Sequence, residues 1–236
     1  NSMKSLILRC TDLTTLSIDD TNNSVGDLCA KAIEKKVAAV CVYPTFVEIA
    51  KEKLASSNIK VASVAGCFPA AQSPLHIKVA EVKYALEKGA DEIDMVLSVG
   101  KLLEGNIDYV LSEIKAIKEA CGNKTLKCIL ETGALKSREL ITLASQIAIE
   151  GGSDFIKTST GKIAVSATLE TSEPMLCAIK DHYNKHNRRI GFKAAGGIST
   201  YETAIDYINL VRDILGNEWL TPEYFRIGAS RLVDNL

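Results

Sequence analysis

The sequence predicts one (β/α)8 barrel domain over residues 1–236. Short runs of β-branched residues alternate with longer amphipathic segments along the whole chain, as in a parallel sheet with crossover helices. No linker-like composition divides the chain, and α/β barrels reach this length as one domain. An open doubly wound sheet is the alternative, but the chain contains neither GxGxxG nor GxxxxGK[ST].

Eight apolar runs are predicted as strands, and helical patterns lie between them. Apolar residues recur with a helical period at 79–86 and 140–147, for example. Ser172-Glu173-Pro174 indicates a helix start, because proline is favoured in a first turn. The strands are predicted near Cys10–Leu13, Ala38–Tyr43, Lys60–Ala65, Glu92–Leu97, Leu126–Glu131, Phe155–Thr158, Gly191–Ala194 and Tyr224–Ile227.

The composition is that of a soluble globular protein, with 47% hydrophobic residues and 24% charged residues. The formal net charge of -1 argues against a nucleic-acid partner or an anionic membrane partner. The apolar runs are too short to span a bilayer. Asn1 and Ser2 precede Met3 and are expected to be foreign to the natural chain. Seven cysteines without a CxxC motif indicate a reducing, cytoplasmic location and no zinc site.

Two lysines end two neighbouring predicted strands. Lys157 lies in Asp154-Phe-Ile-Lys-Thr-Ser-Thr-Gly-Lys162, and Lys193 lies in Ile190-Gly-Phe-Lys-Ala-Ala-Gly-Gly197. A lysine in a buried strand is costly unless it is paired or neutral, and both burial and a like charge lower the pKa of an ammonium group. A neutral amine can form a Schiff base with a carbonyl substrate. The two lysines are therefore the predicted centre of the chemistry.

Strand alternation predicts that both amines and the carboxylate of Asp94 point into the barrel. This holds if Ile93, Ile156 and Phe192 pack outward on the helices. Neighbouring strands lie roughly 4.8 Å apart, so the amines can share one cavity. A structural Lys–Asp ion pair is the alternative. Two inward lysines with one carboxylate leave an excess positive charge, which favours a functional site.

Glycines follow the last three predicted strands, close to where barrels of this kind often bind phosphate. Gly161-Lys162 follows the sixth strand, Gly196-Gly197 the seventh, and Gly228-Ala-Ser230 the eighth. Glycine lets backbone N–H groups approach a phosphate closely, and a helix N-terminus favours a dianion. Ordinary turn glycines are the alternative, but three at these places predict a phosphate-bearing ligand.

Two histidines have the spacing of zinc ligands on a helix. His182 and His186 are four residues apart, but they lie in a charged segment at a predicted helix end. A solvated helix end is the better interpretation. The residues therefore indicate no metal site.

The chain resembles the deoxyribose-phosphate aldolase family. The resemblance covers nearly the whole chain, and the segment around Lys157 is its most specific part. The matching segments are Asp12-Leu-Thr-Thr-Leu16, Cys41-Val-Tyr-Pro44, Gly89-Ala-Asp-Glu-Ile-Asp-Met-Val96, Glu131-Thr-Gly133, Asp154–Lys162, Gly191-Phe-Lys193, Ala195-Gly-Gly197 and Gly228-Ala-Ser230.

The resemblance implies a reversible lyase that needs neither a metal nor a cofactor. It would cleave 2-deoxy-D-ribose 5-phosphate to D-glyceraldehyde 3-phosphate and acetaldehyde, so its partner would be a small phosphosugar. Lys157 matches the Schiff-base lysine, and Lys193 matches the second lysine, which lowers the pKa of the first. Asp94 matches the carboxylate that relays protons with Lys193 and a water. The resemblance leaves room for a homodimer.

Further positions match residues that contact the sugar or its phosphate in the family. The substrate-binding positions are Asp12, Thr14, Thr160, Lys162 and Cys41, the last with a packing role first. The phosphate-binding positions are Gly161, Gly196, Gly197, Gly228 and Ser230.

The chain departs from the family pattern at a few positions. Ala194 stands where proline is common, and Ser199 stands where arginine is common, although Arg231 could restore that charge. Two other functions stay open. One is another phosphosugar lyase or transaldolase with the same lysine chemistry, and the other is a non-catalytic phosphosugar-binding barrel.

Overall fold

The computed structural model describes residues 2–236 and forms a closed barrel of eight parallel strands. The strands are β1 (Thr11–Thr14), β2 (Ala39–Val42), β3 (Lys60–Ala65), β4 (Glu92–Val96), β5 (Thr125–Ile129), β6 (Phe155–Lys157), β7 (Gly191–Ala195) and β8 (Phe225–Ala229). They pair in chain order, and β8 closes the ring against β1. The predicted (β/α)8 fold is confirmed.

Helices connect the strands and surround the barrel. They are α1 (Ser2–Arg9), α2 (Asn22–Lys35), α3 (Val47–Lys53), α4 (Leu75–Glu87), α5 (Val99–Leu103), α6 (Ile107–Cys121), α7 (Thr132–Leu135), α8 (Arg138–Glu150), α9 (Leu169–His186) and α10 (Tyr201–Leu215). Short 3-10 helices lie at Pro44–Phe46, Asn217–Trp219 and Leu232–Asn235. None of the helices within residues 2–236 has both the length and the apolar character that crossing a membrane requires.

Side-chain caps mark the starts of several long helices, because a Ser, Thr or Asn oxygen accepts an otherwise unpaired N–H of the first turn. The sequence-based start of α9 at Ser172-Glu173-Pro174 is wrong. The hydroxyl of Thr168 accepts the N–H of Thr171, so α9 begins at Leu169 and Pro174 lies inside it. Proline is favoured in a first turn, but the Thr168 cap lies further upstream and leaves Pro174 in the helix interior. The capping residues are Thr21, Asn106, Ser137, Thr168 and Thr200.

The strands bury their two faces in different surroundings. The main hydrophobic core packs outward-facing strand residues such as Ile93, Ile156 and Phe192 against the helices. Two small apolar clusters are separate from it, one around Cys41, Ala62 and Val64 and one around Val96 and Ile129. Residues on alternate positions of a strand point to opposite faces, so these clusters belong to the barrel interior. Buried charged side chains share that interior with them.

The N-terminal dipeptide falls partly within the described residues. Ser2 is the first residue of α1, and Asn1 lies outside the described residues. The expectation that both are foreign to the natural chain therefore stays a prediction.

Candidate active site

The two predicted lysines lie side by side in the barrel interior. Lys157 on β6 and Lys193 on β7 are direct partners in the strand register. Both amines donate to one oxygen of Asp94 on β4, because Asp94 Oδ2 lies 2.9 Å from Lys157 Nζ and 2.8 Å from Lys193 Nζ. The predicted inward orientation of all three side chains is therefore confirmed.

The surroundings of the two amines shift their pKa values in opposite directions. Burial lowers the pKa of Lys157; the Asp94 carboxylate opposes this effect, and Lys193 adds to it. Burial alone would also lower the pKa of Lys193, but Asp12 and Asp94 outweigh it and raise that pKa. The net shift of the Lys193 pKa is therefore upward, against the lowering that burial and a like charge produce on their own, because Lys193 has a second carboxylate partner. A neutral amine and an ammonium group can thus lie side by side.

Seven ionisable side chains form one buried charge cluster that extends well beyond the predicted lysines. Its members are Asp12, Glu92, Asp94, Lys127, Lys157, Lys193 and Arg226. Each member is at most 6% exposed. Glu92, Lys127 and Arg226 were not among the predicted site residues.

Lys127 connects the three carboxylates of the buried charge cluster. Its amine lies 2.9 Å from Asp94 Oδ1, 3.1 Å from Asp12 Oδ2 and 2.8 Å from Glu92 Oε1. Burial alone would lower the pKa of Lys127, but the three carboxylates together raise it well above its usual range. Lys127 therefore keeps its proton and holds the carboxylates in fixed positions.

Asp12, a predicted substrate-binding residue, is fully buried and paired with two cations. Its Oδ2 accepts a hydrogen bond of 2.7 Å from Lys193, and its Oδ1 accepts one of 2.8 Å from Arg226. The structure thus shows Asp12 as the second anion that holds Lys193, and its predicted contact with substrate stays a prediction.

A cavity of about 450 Å³ opens at the carboxyl ends of the strands. Lys157 is the member of the buried charge cluster that lines it. The predicted residues that share its wall are Thr14, Thr160, Gly161, Lys162, Gly196, Gly197, Gly228 and Ser230. One wall therefore carries the amine, and the glycine segments after β6, β7 and β8 form another part of the same cavity.

Free backbone N–H groups lie in the glycine segments. Gly161, Gly196 and Gly197 have φ angles of 79°, 91° and 78°, which glycine adopts without the strain of a side chain. Within the described chain, their N–H groups donate to no protein acceptor. At Gly196 a Cβ would lie 2.4 Å from the Cβ of Ser166. These segments therefore offer the donors that an anion requires.

Side-chain hydrogen bonds fix the loop after β6. The hydroxyl of Thr160 donates to Glu131 Oε2 at 2.7 Å, and its N–H donates to the other carboxylate oxygen at 3.1 Å. Lys162 Nζ donates to the carbonyl oxygen of Leu16. Lys162 thus connects this loop to the loop after β1 on the cavity wall, and its contact with substrate stays a prediction.

Two hydroxyls from β1 and the end of β8 join the same wall. Thr14 Oγ1 donates to the carbonyl oxygen of Asp12 at 2.9 Å, and Ser230 Oγ donates to the carbonyl oxygen of Thr14 at 2.8 Å. Both hydroxyl oxygens can still accept a hydrogen bond from a ligand. Their roles in binding stay predictions.

Cys41 packs in the barrel interior, as expected from the sequence before any role in binding. It is fully buried against Leu16, Ala62 and Val64 in the barrel interior. Burial raises the pKa of its thiol, so the group is uncharged beside the lysines. A role in substrate binding stays a prediction.

The arrangement provides the groups for carbonyl chemistry with proton transfer. A buried amine with a lowered pKa reaches a cavity, and an ammonium group with a raised pKa shares a carboxylate oxygen with it. The fold and the site have the features of a (β/α)8 barrel enzyme with a buried amine at its cavity.

Comparisons with known proteins agree with this class. The family model DeoC/LacD family aldolase matches residues 6–213. A Caenorhabditis elegans protein, provisionally named deoxyribose-phosphate aldolase, is 46% identical over 238 residues, which cover 97% of this chain and 78% of that protein. The chain therefore belongs to the DeoC/LacD family of aldolases, which are carbon–carbon lyases.

Solved structures of similar proteins share the whole fold. A crystal structure from Toxoplasma gondii ME49, provisionally assigned as a deoxyribose-phosphate aldolase, is 27% identical with a TM-score of 0.90 and covers 99% of this chain and 92% of its own. The tetrameric deoxyribose phosphate aldolase from Aeropyrum pernix is 27% identical with a TM-score of 0.79 and covers 98% and 89%. The likeness to both proteins thus extends over almost the entire barrel.

Proposed function

We propose that this aldolase cleaves 2-deoxy-D-ribose 5-phosphate reversibly to D-glyceraldehyde 3-phosphate and acetaldehyde through a Schiff base on Lys157. The observation that carries the proposal is the geometry of two neighbouring lysines that share Asp94 Oδ2, of which only Lys157 lines the cavity. Burial lowers the pKa of Lys157, whereas Asp12 and Asp94 raise the pKa of Lys193. The names of the related proteins support the choice of substrate. The proposed reaction uses neither a metal nor a cofactor.

In the proposed first step, the neutral amine of Lys157 attacks the aldehyde carbon of the open-chain sugar. Loss of water gives an iminium ion, which accepts the electron pair released when the C2–C3 bond breaks. A base removes the C3 hydroxyl proton in that step, and D-glyceraldehyde 3-phosphate leaves. The remaining enamine gains a proton at its terminal carbon, and water then hydrolyses the imine to acetaldehyde and free Lys157.

Asp94 and Lys193 are proposed to move the protons in these steps. Lys193, held as an ammonium group by Asp12 and Asp94, is a proton donor beside the reacting amine. Asp94 accepts hydrogen bonds from both amines, so together with a water in the cavity it can relay protons between them. Proton transfer by positioned groups contributes roughly 10²–10⁴-fold to such rates.

The sugar phosphate is proposed to bind the glycine segments after β6, β7 and β8. Gly161, Gly196 and Gly197 supply N–H donors, and Lys162 and Arg231 place cationic side chains on the cavity wall. Thr14, Thr160 and Ser230 line the same cavity and can contact the sugar hydroxyls. A phosphate held at a distance from the reacting carbons orients them, which converts binding energy into rate.

Mass spectrometry after borohydride reduction in the presence of acetaldehyde tests the proposal. We expect an ethyl group on the peptide that contains Lys157 and cleavage of 2-deoxy-D-ribose 5-phosphate by the untreated enzyme. An adduct combined with faster cleavage of another phosphosugar would favour the alternative lyase or transaldolase. Absence of both adduct and turnover would favour the non-catalytic binding barrel.

A Gly196→Ala variant should weaken the binding of the phosphorylated substrate. The added methyl group would require a strained positive φ and would collide with Ser166, so the glycine segment must move. Strain of this kind costs of order 1–3 kcal/mol, and KM for the phosphosugar should rise several-fold. Trapping of acetaldehyde on Lys157 should stay near the wild-type rate, because acetaldehyde has no phosphate.

Gly105→Ala is the matched control for this substitution. Gly105 also has a positive φ, of 80°, but a Cβ there would meet nothing within 4 Å and the residue is outside the cavity wall. Its KM should match that of the wild type. Equal KM values for the Gly196→Ala and wild-type enzymes would refute the proposed phosphate site.

The biological setting follows from the proposed reaction. We infer a cytoplasmic enzyme of deoxyribonucleotide breakdown, and seven free cysteines are compatible with a reducing compartment. The homodimer stays a prediction, and light scattering would measure the mass in solution. The related enzyme from A. pernix is tetrameric.

A further inference from the structure

The buried charge cluster contains one more cation than anion when every member is ionised. Its basic members are Lys127, Lys157, Lys193 and Arg226, and its acidic members are Asp12, Glu92 and Asp94. An unbalanced charge in a dry protein interior is costly, and the usual relief is the loss or gain of a proton. Loss of a proton from one basic side chain of the cluster is therefore favoured.

Arg226 cannot be the residue that loses this proton. A guanidinium group keeps its proton under all conditions in which proteins fold. Burial opposes the charge of Arg226, but Asp12 and Glu92 outweigh it and raise the pKa of Arg226 further. Arg226 Nη1 and Nη2 bind both oxygens of Glu92 at 2.8 Å, which fixes the guanidinium in a two-point ion pair. The surplus proton must therefore leave a lysine.

The number of carboxylate contacts indicates which lysine this is. Lys127 contacts three carboxylates, Lys193 contacts Asp12 and Asp94, and Lys157 contacts Asp94 alone. Lys157 therefore loses the least charge pairing when it becomes neutral. It also lines the cavity, so the proton can leave to solvent.

Other titratable groups flank the cluster. The buried carboxylate of Glu131, after β5, accepts hydrogen bonds from the N–H and the hydroxyl of Thr160 and forms no ion pair with a member of the cluster. Cys41 faces Lys157, and Cys10 lies near Arg226. Burial raises the pKa of both thiols, that of Cys10 to about 12, so both stay uncharged. A second cavity reaches Arg226 from the opposite end of the barrel, where Arg9, Lys36, Lys60 and Glu223 are exposed to solvent. Their charges are screened by water.

We propose that Arg226, anchored by Glu92, is a positioning residue whose permanent charge forces Lys157 into the neutral, nucleophilic form. Arg226 touches neither Lys157 nor the cavity that Lys157 lines. It acts through the charge count of the barrel interior and through Asp12, which it holds against Lys193. This inference rests on the proposed function, because it explains how the amine of the Schiff base becomes available.

Three variants test the inference, with the pH dependence of reductive trapping of acetaldehyde on Lys157 as the measurement. Arg226→Gln leaves three cations and three anions, so Lys157 can keep its proton. We expect the midpoint of the trapping profile to rise by about one pH unit or more, which lowers the rate at neutral pH about tenfold for each unit. At high pH the rate should recover, which damage to the fold would not allow.

The double variant Arg226→Gln with Glu92→Gln is the charge-matched control. It removes one cation and one anion, restores the surplus of one cation, and should move the midpoint back towards the wild-type value. Glu92→Gln alone enlarges the surplus, so its midpoint should fall below that of the wild type. If Arg226→Gln does not fold, the midpoint of Glu92→Gln compared with that of the wild type decides whether the inference holds.

Two outcomes would overturn the inference without affecting the proposed function. One is a wild-type adduct on Lys157 together with an unchanged midpoint in Arg226→Gln. The other is a midpoint in Glu92→Gln that is unchanged or higher. A wild-type enzyme without any adduct on Lys157 would instead contradict the proposed function itself.

Discussion

A Lys157→Met variant should lose aldol cleavage by about 10⁴-fold or more, because no other amine of the buried charge cluster lines the cavity. Methionine has nearly the length of the lysine stem but cannot form an imine. Asp94 keeps Lys127 and Lys193 as partners, so no carboxylate is left unpaired. The free energy of unfolding should therefore stay at or above that of the wild type. Turnover and a denaturant titration measure the two expectations.

Lys78→Met is the matched control, because Lys78 is another buried lysine but lies outside the barrel. Its amine lies 2.7 Å from Glu113 Oε2 and 2.9 Å from Ser98 Oγ, and the residue is 1% exposed. Its loss leaves Glu113 without a cation and should cost about 3–5 kcal/mol of stability. The fraction of Lys78→Met that still folds should nevertheless form the imine on Lys157. Strong activity in Lys157→Met would contradict the proposed nucleophile.

A Lys193→Leu variant should slow imine formation at neutral pH and move its pH profile to higher pH. The ammonium group of Lys193 lowers the pKa of Lys157, and both amines share Asp94 Oδ2. Without Lys193, Lys157 has that oxygen to itself and holds its proton more tightly. Each unit by which the pKa of Lys157 rises lowers the neutral fraction tenfold at pH values below that pKa.

The loss in Lys193→Leu should exceed the loss explained by the pH profile. Lys193 is also the proposed proton donor, so a deficit of roughly 10²–10⁴-fold in turnover should remain at high pH. Trapping of acetaldehyde over a range of pH and turnover of the phosphosugar separate the two effects. An unchanged pH profile of trapping would rule out the proposed influence of Lys193 on Lys157.

The sequence predicted the neighbouring pair of Lys157 and Lys193 because each lysine ends an apolar strand that is easy to recognise. The register then brings Lys157 beside Lys193 without any special contact. Arg226, Lys127 and Glu92 were missed, although Glu92 lies two positions before Asp94 and therefore shares its face of β4. Applying strand alternation to every charged residue within a predicted strand would have found all three.

Long-range contacts in the loops could not be predicted from sequence spacing. The Lys162 amine reaches the Leu16 carbonyl across 146 positions of the chain, and a sequence pattern contains no signal for this partner. The pKa shift of Lys193 has the same origin, because it depends on Asp12 at 181 positions' distance. Alternation and turn residues predict which side chains share a face, whereas individual partners depend on the closed ring.

The two faces of each strand are subject to different constraints. Ile156 packs against the helices, while Lys157, the next residue, lies among the charges inside the ring. The core packing and the proposed catalytic groups therefore use alternate positions of the same eight strands. Substitutions at the inner positions could therefore change the chemistry of the site while the outer positions, and with them the stability of the fold, stay unchanged.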